Sequence, residues 1–327
     1  MRKLLIILTI ACLTLLGCKK SVNNAPDATG KDIHRLIGIS KIITHPALDD
    51  LERGIIDEIK AQGYDNLSFD LQNANGETST AASIAGHYKS RKVDIAVGIA
   101  TPMALALANG LKDTPIVFSA VTDPIDAELR KENGPETGSY ITGVSDLTPV
   151  REQIKLAARL VNLKKLGFIY NAGESNSVVL LKITQDVCKE MGIELVTSTV
   201  TNTSEIKQAT EIVAPKVDAI YASTDNVVYA SLASLVATAD KYNVPVVAAV
   251  PSEDDDTGIL AAYGINYYNA GRVTGKVILR ILNGEKAGDI PVKYLTEPDE
   301  LGLFINFEVA ERLGIEIPED LRKQAGH

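Results

Sequence analysis

The chain of 327 residues contains no tryptophan, three cysteines, three methionines and four histidines, and its 42 acidic residues outnumber its 33 basic ones. Each scarcity excludes something. A formal net charge of −9 argues against nucleic acid, whose phosphates are bound by a basic patch that displaces counterions. Cysteines at 12, 18 and 188 leave no disulfide framework. The histidines, at 34, 45, 87 and 327, are scattered and form no HExxH. There is no GxxxxGK(S/T), no GxGxxG behind a strand and no GxSxG elbow, so nucleotide binding and hydrolase chemistry have no motif to rest on. No nucleophile stands with a base in sequence order. The chain reads as a binder that needs neither cofactor nor metal, not as an enzyme.

Apolar residues make up 45% and charged residues 23% of the sequence, the composition of a globular protein. The length allows two domains of ordinary size. The first seventeen residues are a separate object. Arg2 and Lys3 precede an apolar run of thirteen residues, 4–16, too short to span a bilayer and right for a signal peptide. The run ends Leu15-Leu16-Gly17-Cys18, which resembles a bacterial lipoprotein signal. That resemblance implies cleavage before Cys18, lipidation of Cys18 and a place on the outer or periplasmic side of a bacterial membrane. An ordinary secretory signal is the alternative. Residues 18–31 read as a flexible tether, rich in Asn, Lys, Pro and Gly. Cys188 follows Val187 in a helical pattern and reads as a small buried hydrophobe.

From residue 35 onward short apolar runs alternate with helix-length periodic segments. The expected strands are 35–40, 66–71, 93–98, 115–119, 165–170, 193–199, 217–222, 244–249 and 301–306. The expected helices are 47–62, 78–91, 102–111, 149–161, 176–191, 204–213, 227–242 and 269–283. Continuous Val/Ile/Ala strands separated by helices predict an α/β protein of parallel sheets covered on both faces. The pattern runs twice, with a Gly/Thr/Ser-rich linking segment at 133–147. Two doubly wound lobes are expected: 32–143 with about 263–295, and 144–262 with about 300–327. Segments 140–147 and 262–266 are the expected hinges.

Ligands of open parallel sheets sit at the carboxyl ends of the strands, and four such ends share one design. Thr101-Pro102, Asp123-Pro124, Ser175-Asn176-Ser177 and Thr224-Asp225-Asn226 each follow a strand with a residue able to cap the next helix. VFSAVTDP, residues 117–124, turns from apolar to polar just where a core strand ends, and Pro124 reads as opening a helix. Helix starts offer free N–H groups and a positive dipole end, which suit an anion without Lys or Arg. Thr101 and Thr122 add hydroxyls. On the other half Glu174 and Asp225 suit an ammonium group. Donors on one wall and carboxylates on the other describe a pocket for a free amino acid. His45 stands after the first strand and is weighed mainly as a loop residue. Phe118, Tyr170, Tyr221 and Tyr263 are weighed mainly as core, and the acidic run 253–256 as a solvated loop.

The stretches VGIATPMALALAN (97–109), PIVFSAVTDPIDA (115–127), IYNAGESNSV (169–178) and VDAIYASTDNVV (217–228) resemble the solute-binding lipoproteins of ABC importers in the tryptophan/tyrosine-binding group. The resemblance implies the two-lobed type I periplasmic-binding fold, a three-segment hinge and capture of an amino acid, expected to be aromatic. It implies an ABC permease and its ATPase as partners, and a monomer is expected. By motif position it puts Thr101 and Thr122 at the ligand carboxylate and Asp225, then Glu174, at the ammonium. Asp123, Asn176, Thr224 and Asn226 complete the expected ligand shell. A binder of another solute, such as a sugar or nucleoside, and a surface sensor or adhesin are the alternatives.

Overall fold

The computed structural model describes residues 35–326 other than 65, 132, 133, 137 and 252–256. The signal, the tether, Cys18, His34, His327 and the acidic run lie outside the described residues.

The first half alternates as far as β4 and then adds a strand without an intervening helix: β1 (Leu36–Lys41), α1 (Pro46–Ala61), β2 (Ser68–Asn73), α2 (Thr78–Arg91), β3 (Ile95–Ile99), α3 (Thr101–Gly110), β4 (Ile116–Ser119) and β5 (Ile141–Ser145). All five residues of β3, IAVGI, are buried, as expected of a central strand with helices on both faces. The second half runs α4 (Val150–Leu160), β6 (Lys165–Asn171), α5 (Ser175–Met191), β7 (Glu194–Val200), α6 (Ile206–Val213), β8 (Ala219–Ala222), α7 (Asn226–Tyr229), α8 (Leu232–Ala239), β9 (Val246–Ala248) and β10 (Ala261–Ile265). It is followed by α9 (Tyr267–Leu282), β11 (Lys293–Tyr294), β12 (Leu301–Ile305), α10 (Phe307–Leu313) and α11 (Glu319–Gln324).

These strands form two six-stranded sheets, ordered β11-β5-β4-β3-β1-β2 and β12-β10-β9-β8-β6-β7. The first is parallel throughout. The second is parallel except for β12, which runs antiparallel along β10. The chain passes between the sheets after Ser145, after Ile265 and between Tyr294 and Leu301. The lobe division expected at 143/144 therefore falls inside β5, whose whole length belongs to the first sheet, and the one at 262/263 falls inside β10.

Three further expectations are corrected. Pro124 opens no helix: 124–128 form a turn in which the N–H groups of Leu129 and Arg130 both donate to the Pro124 carbonyl, and Glu128 sits at φ +55°. The segment 133–147 is not only a linker, because its last residues pair with β4 as β5. The helix expected at 227–242 is broken at Ala230–Ser231 into α7 and α8. Cys188 is buried, as expected, and burial pushes its thiol up to about 11.

One packing feature positions the cleft. Helices α1 and α9 meet with backbone in contact. A Cβ on Gly271 would lie 2.1 Å from the Leu51 carbonyl oxygen, and one on Gly54 2.2 Å from that of Tyr268. Leu48, Leu51, Ile55 and Ile59 form the buried stripe of α1 at helical spacing. This contact brings the starts of the two helices, His45 and Tyr267, to the same cavity.

Candidate functional site

The carboxyl ends of both sheets border one cavity, where ligands of open parallel sheets bind. The first lobe lines it with His45, Leu48, Ala120, Thr122 and Asp146, and Tyr267 joins them from the start of α9. The second lobe contributes Asn176, Thr224, Asp225, Asn226, Tyr229 and Val250. No Lys or Arg is among these lining residues.

Asp225 ends the loop after β8 as the N-cap of α7. It is 0% exposed. One carboxylate oxygen accepts from the Val228 N–H at 3.0 Å; the other accepts from the Asn171 N–H at 2.6 Å and the Ser177 hydroxyl at 2.7 Å. Burial raises its pKa against these donors. Glu174, at the start of α5, accepts from the side-chain amides of Asn226 (2.5 Å), Asn176 (3.2 Å) and Asn171 (3.3 Å). Burial, with the Asp225 charge behind it, pushes Glu174 up to about 7. The second wall is thus a cross-linked polar network of two carboxylates and three asparagines.

On the first wall Asp146 follows β5. It is buried and accepts from the Tyr267 hydroxyl at 2.5 Å and the Thr122 hydroxyl at 3.3 Å, and burial raises its pKa. His45 caps α1 from an extended backbone with Pro46 next. Its ring lies 5.7 Å from that of Tyr229, tilted by 45°. Three lining residues carry a buried polar atom without a hydrogen-bond partner: His45 Nδ1, Asn176 Oδ1 and Thr224 Oγ1. Buried polar atoms are nearly always paired, so such a cluster in a cavity points to a ligand.

Of the residues expected from sequence, Thr122, Asn176, Thr224, Asp225 and Asn226 line this cavity, and Glu174 stands directly behind Asn226. Thr101 is buried at the first turn of α3 with an unpartnered hydroxyl, outside the lining. Asp123 also lies outside it, its carboxylate taken up by the Ile125 and Asp126 N–H groups. Capping differs from expectation at two strand ends: Ala100 and Glu174, not Thr101 and Ser175, hold the cap positions, because each helix begins one residue earlier. The division into donors on one wall and carboxylates on the other is corrected by Asp146. Sequence reasoning missed Asp146, Tyr229 and Tyr267. Asp146 repeats the pattern of a buried strand followed at once by a carboxylate, obscured because β5 was read as linker. Phe118 and Tyr221 are core; neither they nor Tyr170 and Tyr263 line the cavity.

Comparison with known proteins bears on this site. A family model described as ABC transporter substrate binding protein matches residues 36–327. A protein of Clostridioides difficile (strain R20291) described as a tyrosine-binding protein is 33% identical over 310 residues, covering 92% of this chain and 88% of that protein. A structure from Streptococcus pneumoniae, described as an ABC domain in complex with L-Trp, is 33% identical with a TM-score of 0.85, covering 90% of this chain and 99% of that one. A ligand-free, open structure from Clostridium difficile, described as a substrate binding protein with adhesive properties, is 32% identical with a TM-score of 0.64, covering 88% and 97%. The two α/β lobes are those of the periplasmic-binding fold.

Proposed function

Because the chain belongs to the family of ABC transporter substrate binding proteins, which bind their ligands without transforming them, we propose that it captures a free aromatic amino acid between its lobes and delivers it to a membrane permease. The observation that carries the reading is the cavity lining: carboxylates from both lobes, no Lys or Arg, and the rings of His45, Tyr229 and Tyr267 beside Leu48 and Val250. The acidic side chains suit an ammonium group, and the rings suit an aromatic side chain. A tyrosine-binding relative and a structural neighbour with L-Trp bound support the same class.

In this reading Asp225 takes the ammonium, with Glu174 and Asn226 holding it in place and Asn176 Oδ1 adding an acceptor. Asp146 adds charge from the other wall. Thr122 takes the carboxylate once its hydroxyl turns from Asp146, Thr224 offers its unpartnered hydroxyl to the ligand, and Thr101 and Asp123 stand in the surrounding shell. At nearly equal identity, the structure superposes better on the L-Trp complex than on the ligand-free open relative, with TM-scores of 0.85 and 0.64. That supports a closed arrangement of the lobes here, reached by hinge motion around 146–149, 266 and 295–300; the expected hinges 140–147 and 262–266 are narrowed because 141–145 and 262–265 belong to strands β5 and β10. A ligand that binds the closed form more tightly supplies the shift. We place the protein outside the cytoplasm, tethered through lipidated Cys18. A second reading, adhesion at the cell surface, draws on the adhesive properties of the C. difficile protein and is compatible with transport.

Thermal unfolding against a panel of amino acids, sugars and nucleosides tests the reading. A ligand present at about 1,000 times its Kd adds roughly 4 kcal/mol of stability. A shift with tyrosine, tryptophan or phenylalanine is expected; a shift confined to a sugar or nucleoside would overturn it.

A further inference from the structure

Resting on the reading of this cleft as a ligand site that closes, we infer that His45 is a clasp between the lobes that works only as the neutral imidazole, so that acid opens the cleft and weakens capture.

The geometry is specific. His45 stands in the loop between β1 and α1, on the first lobe, yet its ring packs on Tyr229 of the second lobe. The Asn226 side chain, also of the second lobe, lines the same cavity. Its Nδ2 donates to Glu174, so the acceptor oxygen is the part of this amide left for a neutral imidazole N–H. Shut between these groups, His45 is 6% exposed.

A second proton on the ring would have nowhere to go. Nδ1 is buried without a partner. No carboxylate among the described residues pairs with the ring itself: Asp225 accepts from Asn171, Ser177 and Val228, Glu174 stands behind Asn226 among three amides, and Asp146 accepts from Tyr267 and Thr122. Tyr229 and Tyr267 face the same cavity. From β1, Lys41 adds a repulsive charge, moderated by its pairing with Asp49 at 2.6 Å and Glu52 at 3.2 Å in α1. Burial, with Lys41 behind it and Asn226 opposing, pulls His45 down to about 3. In an open cleft the ring meets water and keeps its ordinary value of about 6.5. The sign follows: the closed form binds fewer protons, so closure is fully favoured above about pH 6.5 and is progressively lost as pH falls below it.

The test is titration calorimetry of L-tyrosine and L-tryptophan at pH 7.5 and pH 5.0. Wild type is expected to bind about 30-fold more weakly at pH 5.0, the ratio set by the distance of pH 5.0 from 6.5. His45→Gln, which offers an amide but takes no proton, is expected to change less than threefold; His45→Asn serves if Gln impairs folding. His87→Gln is the control. His87 is exposed, pairs with Asp70 at 2.8 Å and is not among the residues lining the cavity, and its variant keeps the wild-type drop. A wild-type affinity independent of pH, or a His45→Gln protein that retains the full drop, overturns the clasp. If neither amino acid binds wild type at pH 7.5, the aromatic reading fails by itself, and small-angle scattering of the ligand-free protein decides the clasp. Compaction between pH 5.0 and 7.5 in wild type but not in His45→Gln supports it; equal change in both, or none, overturns it.

Discussion

The two walls of the cleft are built differently. The second-lobe wall is a network whose members hold one another: Asp225 caps α7 and ties it to β6 and α5, while Glu174 gathers three asparagine amides. The first-lobe wall has one short relay, Thr122 and Tyr267 on Asp146, and otherwise presents His45, Leu48 and Ala120. Its shape comes from helix packing, with α1 and α9 pressed together at Gly54 and Gly271. One wall is thus shaped by polar satisfaction and the other by steric fit. They should fail differently when broken.

The largest effect is expected from the steric side. Gly271→Ala places a Cβ against the Leu51 carbonyl at 2.1 Å, and backbone cannot yield as a flexible side chain does. A loss of about 3 kcal/mol or more is expected, read by denaturant unfolding, with ligand affinity falling as His45 and Tyr267 shift. Unchanged stability would show that the helices slide freely. Next comes the polar side. Asp225→Ala strands three buried donors, so it should cost about 3 kcal/mol of stability and weaken amino-acid binding at least tenfold by calorimetry. Full affinity in this variant would remove Asp225 from the ligand shell.

Tyr267→Phe removes the shorter of the two bonds to Asp146. About 1–2 kcal/mol is expected, seen as roughly tenfold weaker binding with the second-wall network undisturbed. Glu174→Gln probes the same network by pH. The folded protein keeps a proton on Glu174 up to about pH 7, where the unfolded chain has lost it near 4.5. Stability from this group is present below 4.5 and is lost as pH rises to about 7. The variant should therefore gain on wild type between pH 5 and pH 8 by about 1–3 kcal/mol; a difference independent of pH contradicts the shift. The smallest effect belongs to Thr101→Val. The Thr101 hydroxyl has no partner and stands outside the lining, so stability should change by less than about 0.5 kcal/mol and affinity by less than twofold. A tenfold loss of affinity would bring Thr101 into the ligand shell.

The same contrast explains what was legible in the sequence. Strands such as IAVGI and IVFS announce themselves because both faces are covered, and the network side was legible because its residues cluster in short motifs, Glu174 to Ser177 and Thr224 to Asn226. The steric side was not. His45, Asp146 and Tyr267 are far apart in sequence and meet only through the α1–α9 packing and the crossings after β5 and β10. Pro124 misled because a proline after a capping residue signals a helix start only if enough chain follows; here the chain turns back at Glu128. The two-residue strand β11 carries no periodicity to read.

The central claim is that the cleft holds a whole zwitterion without using a Lys or Arg side chain. The most direct measurement is calorimetric titration of wild type with L-tyrosine, with tyramine, which lacks the carboxylate, and with 3-(4-hydroxyphenyl)propionate, which lacks the ammonium. The account predicts saturable binding of L-tyrosine and loss of at least tenfold in affinity for each truncated compound. Equal binding of all three would contradict it, because the cleft would then be reading the ring alone.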